Sequence, residues 1–186
     1  MFSPTSDYIG VDLENSGHDH RNERIDVLYD GQTLPFLDCQ FDAIFSSEVM
    51  EHVFVPERIT AELYRVLKPG GRLLLTVPFS WAEHEAPWDY ARYTSFGMRA
   101  LLERHGFRIV ALEKTGNDFQ AIGQLAAASI YSRLGGSVKL RALYSVVLCA
   151  PCMVIGAVLG FLLGNRQHLY LNVVILAERP LAEGAP

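Results

Sequence analysis

Small acidic and hydroxyl residues follow three short apolar runs in the first quarter of the chain. Asp12, the pair Asp30-Gly31 and the pair Ser46-Ser47 each come directly after such a run. A carboxylate at the end of a strand can accept both hydroxyls of a ribose, and an acid beside a glycine leaves room for a flat base. This arrangement fits a nucleoside, although either aspartate alone could instead cap a turn.

A second group of reactive side chains lies in the aromatic and charged stretch 79–93. It contains His84 next to Glu85, followed by Asp89, Arg92 and Tyr93. A histidine beside carboxylates can remove a proton from a hydroxyl group and orient a polar ligand. The alternative is that Asp89, Arg92 and Tyr93 form a hydrogen-bonded loop that only shapes a site.

The elements that must position these residues alternate between strands and helices. Near-continuous apolar residues from Arg72 to Val77 predict a strand buried on both faces, as in a parallel sheet covered by helices. We therefore expect an α/β fold with a mostly parallel sheet and ligands at the carboxyl ends of the strands. The predicted strands are 8–12, 25–29, 41–45, 72–77, 107–112 and 170–176, and the predicted helices are 56–67, 95–105 and 118–134.

Composition narrows the classes of function. Of the 186 residues, 49% are hydrophobic and 20% charged, which indicates a globular chain, and we expect one domain over 1–186. Sixteen Lys and Arg against 21 Asp and Glu are scattered along the chain, so nucleic acid is not expected as a ligand. Three cysteines and a start without a basic, apolar leader predict a cytoplasmic protein.

Three further motifs give weaker signals. We expect no metal site, because the stretch His18-Asp19-His20 has no third ligand at a supporting spacing. Redox chemistry at Cys149 and Cys152 is not expected either, because this C-x-x-C pair lies inside an apolar run without a surrounding βαβ pattern. Glu51-His52 forms either a buried pair that holds a turn or a direct substrate contact.

Four motifs in order resemble those of class I S-adenosylmethionine-dependent methyltransferases of the small-molecule, type 11-like kind. They are Gly10-Val11-Asp12, the run Asp30 to Phe36 that leads to Phe41-Asp42, Val49 to His52, and Arg65 to Gly71. The resemblance implies a Rossmann-like sheet and S-adenosyl-L-methionine as cofactor. It also implies that Asp12 binds the ribose, that Asp30 and Gly31 lie by the adenine, and that Ser46 and Ser47 border the methionine end.

The later loop resembles one found in methyltransferases of polysaccharide or glycan biosynthesis. His84, Pro87, Asp89, Arg92, Tyr93 and Thr94 carry this likeness. It implies a catalytic role for His84, Asp89, Arg92 and Tyr93 in methyl transfer to an oxygen of a small or glycan- or lipid-linked acceptor. The competing expectation is a non-catalytic, methyltransferase-like binding or membrane-associated protein that has lost cofactor binding.

The first, central strand of this family, with its glycine-rich loop, has no counterpart before Tyr8. We consider three explanations: the gene model lacks its true start, the two inner strands pair directly, or another chain supplies the strand in a homo-oligomer. The first is favoured. Without that loop, we expect the chain as given to bind S-adenosylmethionine weakly or not at all.

The segment Ala142 to Gly164 has no charged residue and belongs to an apolar helical insertion at about 118–168. Pro151 is expected to divide it into two stretches that are each too short to cross a bilayer. Lys139, Arg141 and Arg166 flank the segment, which favours one-sided association with the inner membrane face. Burial in a soluble fold and a true membrane span are the alternatives.

Overall fold

A computed structural model describes residues 7–13 and 25–181 of the chain. The strands are β1 (Val11–Leu13), β2 (Val27–Tyr29), β3 (Phe41–Ser47), β4 (Leu67–Pro78), β5 (Arg108–Lys114) and β6 (Asn172–Glu178). The α-helices are α1 (Pro56–Val66), α2 (Ser95–Arg104), α3 (Asp118–Tyr131), α4 (Val138–Tyr144) and α5 (Ala150–Leu163). A 3₁₀ turn covers Met50–His52 and a π-helical turn covers Ser145–Cys149.

The strands form two sheets, and within each sheet most strands run in the same direction. β1 and β2 pair in parallel, and the larger sheet has the order β3-β4-β6-β5. β3 and β4 are parallel, whereas β6 runs antiparallel to both β4 and β5. The predicted α/β class with a mostly parallel sheet is confirmed, and the last strand, β6, is the antiparallel member.

The two inner strands, β1 and β3, do not pair with each other among the described residues. β1 has β2 as its strand neighbour and β3 has β4, so each keeps an edge without a strand partner in this part of the chain. The explanation in which the inner strands close up directly is therefore wrong for the residues that the structure describes.

Arg65 on α1 joins the segment after β2 to the larger sheet. Its guanidinium donates to the backbone oxygens of Leu34 (3.0 Å) and Phe36 (2.8 Å) and to the carboxylate of Asp38 (2.7 Å). Glu62, one turn earlier on the helix, accepts from the Leu34 amide at 2.9 Å. The residues after β2 are thus held against the helix that covers β4.

Among the residues that the structure describes, helices cover one face of the larger sheet. Leu73, Leu75 and Val77 alternate along β4 and are fully buried, in one cluster with residues of α1 and α2. Phe45 on β3 and its register partner Leu74 on β4 are 53% and 38% exposed. The expectation that β4 is buried on both faces is wrong, because both covering helices pack on the same side.

The turn Lys68 to Gly71 is part of β4 and not a loop outside the sheet. Backbone bonds join Gly70 to the Arg179 carbonyl (2.7 Å) and the Arg179 amide to Gly71 (3.0 Å). The Arg179 guanidinium donates to the carbonyls of Tyr64 and Leu67 at 2.8 Å, at the C-terminal end of α1 where carbonyls lack helical partners. Arg179, the residue after β6, therefore caps the C-terminal end of α1 and orders the turn Lys68 to Gly71.

Residues 118–163 form a helical hairpin in which α3 packs against α5. The apolar arm Val138–Leu163 is one continuous helix of 26 residues, so the prediction that Pro151 divides it is wrong. The π-helical turn directly before Pro151 accommodates a residue that lacks a backbone N–H. This helix is long and apolar enough to cross a membrane, and 17% of its apolar window is buried, although length and composition alone are weak evidence.

Small residues allow the two arms of the hairpin to approach closely. A Cβ at Gly156 would overlap the backbone oxygen of Phe119, and one at Gly123 would lie 2.5 Å from the backbone oxygen of Cys152. Both overlaps involve main-chain atoms, which cannot move away as the end of a side chain can.

We expect Gly156→Ala to lower the free energy of unfolding by about 1–3 kcal/mol, because the overlap exceeds the roughly 1 kcal/mol that alanine gains from helix propensity. Chemical denaturation measures this change. Gly135→Ala is the control, since nothing lies within 4 Å of the position that a Cβ would occupy there. Equal stability of Gly156→Ala and the parent would contradict the close packing.

Candidate functional site

The residues expected to bind the ribose and adenine lie near the carboxyl ends of two neighbouring strands. Asp12 on β1 pairs in register with Leu28, so Asp12 and the Asp30-Gly31 turn lie at the same ends of β1 and β2. Burial raises the pKa of Tyr29 to about 12, and the negative charges of Asp12 and Asp30 add to the shift. The two carboxylates therefore create a negative edge that suits ligand hydroxyl and amino donors.

Each of these residues also serves its own loop. The amides of Gln32 and Thr33 donate to Asp30 Oδ1 at 2.8 and 3.1 Å, and these bonds lower the pKa of the exposed Asp30 carboxyl. Gly31 has φ +75°, and a Cβ there would lie 3.0 Å from Leu13 Cδ2. The turn thus places an ionised acid beside a left-handed glycine that packs against Leu13.

A polar chain crosses the ends of three strands of the larger sheet. Ser47 Oγ lies 3.0 Å from Thr76 Oγ1, which donates to Glu48 Oε1 at 2.7 Å. The other Glu48 oxygen accepts from Asn172 Nδ2 at 2.8 Å. Ser46 pairs in register with Leu75 beside this chain. Ser46 and Ser47 therefore stand at the carboxyl end of β3, as expected, and Glu48 links that end to β4 and β6.

The loop 84–93 is docked on the Met50–His52 turn. The amides of Tyr90 and Ala91 donate to the Glu51 carbonyl at 2.8 and 3.2 Å. His52 Nδ1 lies 2.8 Å from the carbonyl oxygen of Trp88, which can only accept, so the His52 ring donates there. These bonds hold the loop over the end of β3.

The structure brings His84, Asp89 and Arg92 together. Arg92 donates to both Asp89 oxygens, at 2.6 and 2.7 Å, and also to the Ala82 carbonyl at 2.9 Å. Asp89 Oδ2 accepts from the His84 amide at 2.9 Å and lies 3.2 Å from His84 Nδ1. The Arg92 guanidinium lowers the pKa of Asp89 to about 2, so this carboxylate is ionised and can orient the His84 ring.

Tyr93 is placed apart from that group. Its hydroxyl donates to the Met50 carbonyl at 3.4 Å, and burial raises its pKa. The tyrosine therefore supports the Met50–His52 turn, while Asp89 and Arg92 lie beside the His84 ring.

Glu51 is the buried acid of the site. It is fully buried, and neither carboxylate oxygen has a hydrogen-bond partner among the described residues. Burial raises its pKa to about 7, with a further contribution from the charge of Glu48. His52 Nε2 lies 3.9 Å from Glu51 Oε1, and the ring centroids of His52 and His84 are 4.8 Å apart.

A cavity of about 370 Å³ opens between these groups. It lies at the carboxyl ends of β3 and β4 and at the start of β6, and α3 contributes to its wall. Its lining residues are Glu48, Glu51, Pro78, Ser80, Trp81, His84, Gln124 and Asn172. Glu48 could have been found from its position after Ser47, whereas Gln124 and Asn172 carry no local motif and reach the cavity only through the fold.

The structure also places the motifs with weaker signals. Cys149 and Cys152 are both free; Cys149 Sγ lies 3.5 Å from the Ala127 carbonyl and Cys152 Sγ lies 3.3 Å from that of Leu148. The stretch 18–20 lies outside the described residues.

Comparison with known proteins supports the class that the fold and site indicate. Residues 2–75 match the family model described as a methyltransferase domain. A protein of Mycolicibacterium smegmatis, named a probable S-adenosylmethionine-dependent methyltransferase, is 28% identical over 153 residues, which are 77% of this chain and 57% of the relative. A UbiE C-methyltransferase of ubiquinone and menaquinone biosynthesis from a Ruegeria species is 30% identical over 45% of this chain and 29% of its own length.

Solved structures share the fold at low sequence identity. The [4+2]-cyclase SpnF has a TM-score of 0.54 and 21% identity, with 87% of this chain and 59% of that protein covered. A Bacillus halodurans protein described as a candidate methyltransferase has a TM-score of 0.52 and 18% identity. The match covers 84% of this chain and 78% of that protein. These likenesses define the fold.

Taken together, the matches confirm the resemblance to class I S-adenosylmethionine-dependent methyltransferases. The chain covers less than two thirds of the length of the curated relatives named above.

The buried Glu51 predicts an unusual dependence of stability on pH. Its pKa lies at about 7 in the folded state and near the ordinary 4.5 in the unfolded state. Between these values the folded state holds a proton that the unfolded state has released, so the free energy of unfolding falls as pH rises through this window. Glu51→Gln removes the titration, and its stability relative to the parent should rise by about 1–3 kcal/mol from pH 4.5 to pH 8.

Denaturant titrations at a series of pH values measure this difference. Glu57→Gln, which changes an exposed glutamate at the start of α1, is the matched control and should leave the pH profile unchanged. Parallel profiles for Glu51→Gln and the parent would show that Glu51 is ionised in the folded protein at neutral pH.

Proposed function

We propose that this protein transfers a methyl group from S-adenosyl-L-methionine to an oxygen of a small or glycan- or lipid-linked acceptor. The observation that carries the proposal is the cavity beside the strand ends, because it places His84 and the buried Glu51 next to the edge where this class binds its cofactor. A methyltransferase-domain match over residues 2–75 supports the same class.

The residues present fit the nucleoside part of the cofactor. The exposed carboxylate of Asp30 and the neighbouring Asp12 offer acceptors for ribose hydroxyls, and the backbone of the Asp30-Gly31 turn would border the base. Ser46 and Ser47 would border the methionine end. When bound, the cofactor supplies an electrophilic methyl on a sulfonium, and the protein's contribution is mainly orientation.

His84 is suited to accept the proton of an acceptor hydroxyl. His84 Nδ1 lies 3.3 Å from the Ala82 carbonyl oxygen, to which it can donate, and 3.2 Å from the ionised Asp89; in this tautomer the Nε2 lone pair is the proton acceptor. Arg92 holds Asp89 from the other side and so positions the ring. Tyr93 has an indirect role, because its hydroxyl bonds the Met50 carbonyl and so supports the Met50–His52 turn on which the loop 84–93 is docked.

A second candidate is a non-catalytic binding protein with the same fold. It is favoured by the unpaired edges of β1 and β3 within the described residues, which lie where this class builds the floor of its cofactor site. The fold alone does not decide between the two, because one fold hosts many chemistries and one structural neighbour is named a cyclase. A homo-oligomer in which a second copy supplies a strand between β1 and β3 is a separate proposal, because that strand would complete the sheet in either candidate.

We also propose that the helical hairpin associates with the inner membrane face from one side. β6 pairs with β4 and β5, so the chain returns to the sheet on the side from which α3 left it. A span by the apolar arm would require α3 to cross too, and its 14 residues are shorter than the roughly 20 needed.

The charges favour a helix that lies along the membrane surface. Lys139 and Arg141 sit at the end of the apolar arm that is remote from the sheet, where insertion tip-first would bury them. Val154, Phe161 and Leu162 are 60%, 87% and 67% exposed along the same arm. An interfacial helix places these apolar side chains among acyl chains and the basic ones among anionic headgroups. An acceptor linked to a lipid or glycolipid would then be presented at the cavity.

Calorimetric titration with S-adenosylhomocysteine tests the proposed function. Asp12→Ala should cost about 1–3 kcal/mol of binding free energy, because the carboxylate accepts ribose hydroxyls. Asp42→Ala, which removes an exposed acid that pairs with Lys68 at the surface, should keep the parent affinity.

Two outcomes would count against the assignment. Equal affinity of Asp12→Ala and a parent that binds would remove the ribose role. Because the chain as given is expected to bind the cofactor weakly or not at all, the titration is made on a chain extended upstream, and no binding by that chain would favour the non-catalytic candidate. With methyl-labelled cofactor and sugar or glycolipid acceptors, the expected product is a methyl ether; labelled amine or carbon products would exclude an oxygen acceptor.

Flotation with vesicles that contain anionic lipid tests the membrane proposal. Phe161→Glu should strongly reduce co-flotation, because it places a charge in the apolar face. Phe96→Glu on α2 changes a phenylalanine of similar exposure, 80% against 87%, and should float like the parent. Protection of residues 132–137 from protease inside sealed vesicles, with the rest of the chain outside, would contradict one-sided association.

A further inference from the structure

The side chains of Glu51, His52 and His84 converge at the wall of the cavity although 32 residues separate the two histidines in sequence. One potential ligand atom from each residue lies within 4.8 Å of the others. The carboxylate of Glu85 faces the same point, with Oε2 3.6 Å from His52 Nε2 and Oε1 4.0 Å from His84 Nε2. Two imidazoles and the Glu51 carboxylate therefore converge, and the Glu85 carboxylate lies beside the two imidazoles.

Both histidines are oriented as metal ligands usually are. His52 Nδ1 donates to the Trp88 carbonyl at 2.8 Å, and His84 Nδ1 lies 3.2 Å from Asp89 Oδ2. In metal sites a ligating histidine commonly donates its other ring N–H to a backbone carbonyl or a carboxylate, which leaves the remaining nitrogen with its lone pair. Here the two Nε2 atoms are the ones that face the Glu85 carboxylate.

An independent observation points to a cation at this position. Glu51 is fully buried, and neither of its carboxylate oxygens has a hydrogen-bond partner among the described residues. A buried carboxylate without a partner is costly unless it is paired with a cation or coordinates a metal. Glu51 also lines the cavity, so its carboxylate borders space that an ion can enter.

We propose that Glu51, His52 and His84, with Glu85 beside them, bind a divalent transition-metal ion such as Zn²⁺. Imidazole nitrogens favour this class of ion over Mg²⁺ and Ca²⁺, which prefer oxygen ligands. Ligand atoms of a tetrahedral zinc site lie about 3.4 Å apart, so side-chain shifts of about 1 Å or less close the present separations onto an ion.

The ion would keep a coordination position open towards the cavity. Glu51 and His84 both line the cavity wall, so an oxygen of a bound ligand can reach the ion from that side. If the proposed methyl transfer holds, that oxygen is the acceptor hydroxyl, whose pKa the ion lowers so that its proton can pass to water in the cavity. In that case His84 serves as a ligand and no longer as the proton acceptor. The metal site itself does not depend on the proposed function.

Calorimetric titration of the chelator-treated full chain with ZnCl₂ tests the site. The background carries His18→Gln and His20→Gln, so that the His-Asp-His stretch does not contribute. One ion per chain should bind, and Glu51→Gln, His52→Gln and His84→Gln should each weaken binding about 10-fold or more. His168→Gln, which changes an exposed histidine near the start of β6, should bind like the parent.

The absorption spectrum of the Co²⁺-loaded parent gives a readout that needs no variant. Bands of a tetrahedral site with nitrogen and oxygen ligands support the proposal, and intense thiolate-to-metal bands would overturn it by assigning the ion to cysteines. Unchanged Zn²⁺ affinity in His52→Gln and His84→Gln, or no binding by the parent, would also overturn it. S-adenosylhomocysteine binding by the same samples reports separately on the proposed function.

Discussion

The antiparallel entry of β6 between β4 and β5 is the constraint on which the rest of the structure depends. Val173, Ile175 and Ala177 point into the core and are fully buried, which specifies the register because a slip of one residue would turn them to the opposite face. The same pairing returns the chain to the sheet after the helical hairpin. It also places Asn172 at the cavity, and Arg179 at the end of α1.

The candidate site concentrates polar groups whose burial opposes folding. Glu51 lies in the wall of the cavity without a hydrogen bond among the described residues, yet the turn that carries it is held by several backbone bonds from the loop 84–93. The Asp89 and Arg92 pair in turn holds that loop through bidentate bonds. A network of satisfied polar groups thus surrounds one unsatisfied acid, which is the pattern expected where a site is built for a ligand and not for stability.

The cavity and the two acids proposed to bind the nucleoside belong to different sheets. Asp12 and Asp30 lie on the β1 and β2 pair, whereas Ser47, Glu48 and Glu51 belong to the larger sheet. Arg65 and Glu62 join the two parts through the segment after β2. The position of Asp12 and Asp30 relative to the cavity therefore depends on the packing of α1.

Periodicity and turn residues were sufficient to determine most elements of this chain. Local spacing predicts the helices that begin at Pro56 and Ser95 and the strands around Leu73 and Val173. The acids at the strand ends could be identified because α/β sheets bind ligands at the carboxyl ends of their strands. The tertiary structure decided what local patterns cannot encode: the exposed face of Leu74, the continuous helix across Pro151, and the meeting of Glu51, His52 and His84. These depend on contacts between residues far apart in the chain, where packing and hydrogen bonding outweigh local preference.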